Sequence, residues 1–115
     1  MRKTVIFAFR GDPMCFIHVL LNSLDLHSRG LGGNIILEGE AVKLVPDLAT
    51  PGHPLNALYL DVKKAGLIDG VCRACSTKLG TADAAESEGL KLVGTMSGHP
   101  AMGDYLMDGY EIITM

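Results

Sequence analysis

The residues best equipped for chemistry are Cys72 and Cys75, set as Cys72-Arg73-Ala74-Cys75 and followed by Ser76. An apolar run, Leu67 to Cys72, ends in the first thiol, and a helix-competent segment starts there and closes at Gly80. A thiol between a strand end and a helix start lies near unpaired backbone N–H groups, which favour the thiolate. Arg73, next in the chain, adds a fixed positive charge. The placement therefore predicts a depressed Cys72 pKa and a nucleophilic sulfur. Cys75 is positioned to resolve a disulfide with it, a redox pair that follows a strand and opens a helix. Tetrahedral zinc takes four ligands. One pair with a scattered Cys15 and a histidine is a weak signal for such a site, so neither metal nor other cofactor is expected.

These side chains need a frame. Apolar runs at Thr4–Phe9, Asn34–Leu37, Leu67–Cys72, Leu90–Met96 and Tyr110–Thr114 alternate with helical stretches. That alternation predicts one α/β domain over residues 1–115, a flavodoxin-like three-layer sandwich with a mainly parallel five-stranded sheet. Chain size suggests the strand order 2-1-3-4-5. Asp12 and Pro13 start the first helix, whose predicted apolar stripe is Phe16, Ile17, Leu20, Leu21 and Leu24. Two further helices are predicted to open at His53-Pro54 and His99-Pro100, the former burying Leu55, Leu58, Tyr59, Val62 and Ala65. Val42–Val45 extends or edges the second strand, and Asp47–Gly52 is a loop.

Ligands of open α/β sheets bind beyond the carboxyl ends of the strands, where strand order reverses. The expected order makes strands one, three and four neighbours. Their loops then bring Asp12, Cys15, Cys72, Cys75, Ser97 and His99 to one edge, with His53 on the loop after strand two. His18 and His27 belong to the surface.

Composition narrows the function. Net charge is −3, aromatic residues are few and no basic block is present, the opposite of a phosphate-backbone binder, so nucleic acid is not an expected partner. No apolar run reaches membrane-spanning length. The run after Arg2-Lys3 is cut by Arg10-Gly11-Asp12, too short for a signal sequence. Three cysteines, an odd number, make no secreted disulfide framework, and a reducing, cytoplasmic setting is expected.

The segments Val71-Cys72 and Ala74-Cys75-Ser76, with Gly80 eight positions after Cys72, resemble the DsrE/DsrF-like family of small α/β sulfur-transfer proteins. The order of elements along the chain fits as well. The resemblance implies that Cys72 accepts sulfane sulfur as a persulfide from a donor and passes it to a partner's thiol. It also implies a homo-oligomer, a trimer or hexamer, with the cysteine near a subunit interface. Cys75 departs from the family, which has a small residue there, and a neighbouring thiolate can attack a Cys72 persulfide to give a disulfide. Three readings follow: a sulfur carrier, a Cys-x-x-Cys redox protein, and a non-catalytic oligomeric module binding a small anionic ligand.

Overall fold

The computed structural model describes residues 2–115. Five strands, β1 (Lys3–Ala8), β2 (Gly32–Leu37), β3 (Ile68–Cys72), β4 (Leu92–Val93) and β5 (Tyr110–Thr114), form one all-parallel sheet. The α/β sandwich is as expected. The strand order is not: it runs β4-β3-β2-β1-β5, so strand one lies between two and five rather than beside three.

Handedness explains the order. The first three connections step the same way across the sheet, and right-handed crossovers in one direction deliver their helices to one face. That face carries α1 (Pro13–Ser28), a 3-10 segment (Gly39–Leu44), α2 (Val45–Leu48), α3 (Asn56–Lys64), α4 (Arg73–Leu79) and α5 (Ala82–Ser87). The last connection returns past three strands to the far edge and must cross the opposite face, which among the described residues receives only α6 (Met102–Met107). The core is correspondingly lopsided. Ile6, Leu20, Ile35, Leu37, Tyr59 and Val71 belong to the thick side, while Val5, Phe7 and Ile36 anchor the thin one.

Local details depart from the pattern in four places. The fourth strand is two residues, not seven, because the chain after Val93 folds into a tight turn pinned by reciprocal Met96–His99 backbone bonds. On α1, Val19 and Ser23 face the core and Leu21 is exposed; the Ser23 hydroxyl is satisfied by the Gly33 carbonyl, so a polar residue holds an inward position. Val42–Val45 is helical rather than extended, with Val42, Leu44 and Val45 buried, and Asp47 and Leu48 end α2 instead of lying in a loop. The helices expected at His53-Pro54 and His99-Pro100 begin later, at Asn56 and Met102, and Ala65 is exposed beyond the end of α3.

Candidate functional site

The order of elements sets the position of the site. Outgoing connections from β3 and β4 leave toward opposite faces, which opens a crevice beyond their carboxyl ends. Cys72 closes β3 and the Ser97–Pro100 turn follows β4, so both meet in that crevice. Gly94 permits the turn: a Cβ there would stand 2.7 Å from the Gly98 carbonyl oxygen. Ser97 (φ 50°) and Gly98 (φ 90°) take left-handed backbone, and the Gly98 carbonyl accepts a bond from the Ala74 N–H at 2.9 Å. The turn is thereby stitched to the start of α4.

This stitching carries His99 onto the cysteines. Its Nδ1 lies 3.2 Å from Cys72 Sγ and 3.8 Å from Cys75 Sγ. The two sulfurs and this nitrogen fall within 4.8 Å of one another. Cys72 also caps α4, its Sγ accepting from the Cys75 N–H at 3.4 Å, and it reaches the Gly98 carbonyl at 3.8 Å. Cys72 is fully buried, whereas Cys75 and His99 are partly exposed and form the solvent side of the cluster. All three cysteines are free thiols.

Glu38, at the end of β2, completes the constellation with Oε2 3.6 Å from His99 Nδ1. Burial lifts its carboxyl above the ordinary value, and the neighbouring imidazole partly offsets that. No sequence motif marks Glu38. Its signal was topological: β2, not β1, pairs with β3, so the β2 loop borders the cysteines.

The electrostatics overturn the expectation of a depressed Cys72 pKa. Burial pushes the Cys72 thiol up to about 11, the Cys75 N–H opposes that, and Cys75 and Glu38 add to the rise. Arg73 is exposed, its guanidinium bonded at 3.4 Å to the Leu92 carbonyl on the edge strand, and its charge does not offset the burial.

The remaining expected residues scatter. Asp12 is an N-cap, accepting from the Met14 N–H at 2.8 Å, and Cys15 sits in the first turn of α1; with β2 between β1 and β3, that loop is displaced from the crevice. The His53 ring accepts from the Leu55 N–H at 3.1 Å and borders an apolar groove with Met14, Ile17 and His18. Ser97 is exposed and shapes the turn. Ser76 is fully buried and its hydroxyl has no hydrogen-bond partner among the described residues.

Comparison with known proteins places the chain in a lineage. No family model matches the chain. The uncharacterized protein MJ0733 of Methanocaldococcus jannaschii is 35% identical over 99 residues, which covers 86% of this chain and 78% of that protein. The chain belongs to the MJ0733 family. An uncharacterized protein of Archaeoglobus fulgidus is 40% identical over 40 residues, 35% of this chain and 66% of that one. In structure, a conserved protein of unknown function, BT1422 from Bacteroides thetaiotaomicron, superposes with a TM-score of 0.72 at 21% identity, over 98% of this chain and 95% of its own. That likeness shows the shared fold. No helix among the described residues is long and apolar enough to cross a membrane.

Proposed function

We propose that this MJ0733-family protein carries sulfane sulfur on the Cys72–Cys75 pair, with His99 moving the proton. The observation that carries the reading is the single imidazole nitrogen in contact range of both sulfurs. An adjacent imidazole generates the thiolate that attacks, even where burial disfavours an isolated anion. Cys75 is the thiol an incoming donor meets, and Cys72 is the sheltered one.

In the loading step the Cys75 thiolate attacks the outer sulfur of a donor R–S–SH. The donor's S–S bond breaks, R–S⁻ leaves with the proton that His99 took from Cys75, and Cys75 holds a persulfide. His99 then takes the Cys72 proton, the Cys72 thiolate takes the same outer sulfur, and Cys75 leaves as a thiolate that His99 reprotonates. Sulfur is transferred without net oxidation, and discharge to an acceptor thiol, on a protein or a small molecule, is the same step reversed.

The proximity of the two sulfurs supports a second reading. If the Cys75 thiolate attacks the inner sulfur of a Cys72 persulfide, a disulfide forms and HS⁻ is expelled, and the pair then needs an external reductant. Intact-mass analysis after exposure to a sulfane-sulfur donor separates the two. Carriage predicts a gain of one sulfur, mapped to Cys72 and absent from the Cys72→Ala, Cys75→Ala double variant. A loss of two hydrogens that requires both cysteines assigns the redox role instead, and no change in the wild type refutes both.

Assembly is part of the proposal. Met14, Leu60, Leu106 and Met107 are at least half exposed, and among the described residues one sheet face has only a six-residue helix over it, which supports a homo-oligomer; a trimer or hexamer is what the DsrE/DsrF resemblance implies. Light scattering at micromolar concentration should exceed the 12.2 kDa of one chain, and a monomer mass refutes it. A reducing, cytoplasmic setting matches three free thiols.

A further inference from the structure

We infer that Cys72 Sγ, Cys75 Sγ and His99 Nδ1 form a mononuclear zinc site with its fourth position open. This goes beyond sulfur carriage and revises the expectation of no metal, which rested on counting ligands along the sequence. The turn after β4 supplies the ligand that the Cys-x-x-Cys pair lacks.

The geometry is already near that of a coordinated ion. Zn–S bonds of about 2.3 Å and Zn–N bonds of about 2.0–2.1 Å at a tetrahedral angle place S and N about 3.6 Å apart. The observed separations, 3.2 and 3.8 Å, bracket that value, and the remaining sulfur–sulfur distance lies inside the same 4.8 Å cluster. Only small side-chain shifts separate the thiol form from a metal-bound one.

The donor set points to the class of metal. Two thiolates and a neutral imidazole suit a borderline-soft ion such as zinc and disfavour calcium and magnesium, which take oxygen. Binding replaces two thiol protons, released to solvent, and leaves the ion with its two thiolates electrically neutral beside the buried Cys72 sulfur. That resolves the cost of holding sulfur anions there. Three protein ligands leave room for water or a small anion, the arrangement of reactive rather than structural zinc. Glu38 Oε2 stands 3.6 Å from the ligating nitrogen. Zinc and a persulfide use the same sulfurs, so they exclude one another.

The test uses the full-length, reduced, chelator-treated protein and no sulfur donor, so its failure leaves sulfur carriage standing. Zinc titrated against a chromophoric chelator should bind at one ion per chain. Cobalt(II) in its place should give tetrahedral visible bands with thiolate-to-metal charge transfer. Cys75→Ser and His99→Ala, both at partly exposed positions, should each weaken binding on the order of 100-fold or more, with circular dichroism unchanged. The proposal is overturned if cobalt gives only an octahedral spectrum in the wild type, or if Cys75→Ser retains wild-type affinity. Loss of the ion in a His18→Ala, His27→Ala, His53→Ala variant instead would assign it to surface histidines and overturn the proposal equally.

Discussion

The Nδ1 atom of His99 lies 3.2 Å from the Sγ of Cys72, across 27 positions of sequence. One residue comes from the loop after β4 and the other ends β3, so the contact exists because those two strands pair in parallel, Cys72 opposite Val93. In the proposed chemistry this imidazole accepts a thiol proton and later returns it. General acid–base groups of this kind contribute on the order of 100- to 10,000-fold. His99→Ala should therefore slow loading by a sulfane-sulfur donor about 100-fold or more near neutral pH, with the fold intact by circular dichroism. A wild-type loading rate in that variant removes His99 from the mechanism.

The two thiols should separate by exposure and by pH. Cys75 is partly exposed, whereas Cys72 is buried and its thiol is pushed up to about 11. Iodoacetamide followed by peptide mapping on metal-free protein should label Cys75 first at neutral pH, with Cys72 labelling only as the pH approaches its raised value. The linkage sign follows. A folded pKa above the unfolded value gives stability that is present below pH 9.0, the ordinary thiol value, and lost as the pH rises toward 11. Cys72→Ser should flatten that alkaline loss. Faster labelling of Cys72 than of Cys75 contradicts the burial assigned here.

How much of this was legible in the chain differs by residue. The strand cores at Val5–Ala8 and Ile35–Leu37 announced themselves as short apolar runs, because central strands covered on both faces leave no polar alternation. Tyr110–Thr114 was legible too, although it is an edge strand with Glu111, Ile113 and Thr114 exposed. Cys72 and His99 also met as expected, since strands three and four are adjacent in either strand order. Asp12 and Cys15 did not join them. Periodicity reveals which elements exist, and the side on which each crossover packs is a tertiary choice that no single element encodes. The same choice hid Glu38, which neighbours the cysteines only because β2 lies next to β3. Arg73 failed for a different reason: adjacency in sequence does not fix where a long side chain bonds, and the Leu92 carbonyl was within reach.

Gly98 links the turn to the site and gives a structural test. Its φ of 90° is a left-handed conformation that L side chains rarely adopt, and an added Cβ would stand 3.1 Å from the Ala74 Cβ. Gly98→Ala should cost about 1–2 kcal/mol for the backbone alone and displace His99 from the cysteines. Thermal unfolding should show the loss, and sulfur loading should fall toward the His99→Ala level. Gly103→Ala, on α6 with nothing near its added Cβ, is the control: it should leave loading unchanged and, as a helical Gly→Ala change, stabilise by up to about 1 kcal/mol rather than destabilise.

Away from the crevice, Tyr59 shows how the thick face is held. Its ring is fully buried against the core, and its hydroxyl donates to Glu88, whose same oxygen is 3.1 Å from Lys63 Nζ. The hydrogen bond from Tyr59 is the main reason the Glu88 carboxyl is held below its ordinary range, with Lys63 adding to the effect. A hydrogen bond to a charged group contributes about 1.5–3 kcal/mol. Partial exposure of Glu88 and Lys63 puts this pair at the lower end, so Tyr59→Phe should lower the Tm by several degrees without opening a cavity. The pH dependence has a definite sign. A depressed carboxylate pKa gives stability that is present above 4.5, its ordinary value, and lost as the pH falls below that through the folded pKa. Urea unfolding midpoints measured from pH 7 down to pH 3 should converge for wild type and Tyr59→Phe at the acid end. A gap that persists undiminished at pH 3 would mean that the hydroxyl acts through packing rather than through the ionised Glu88.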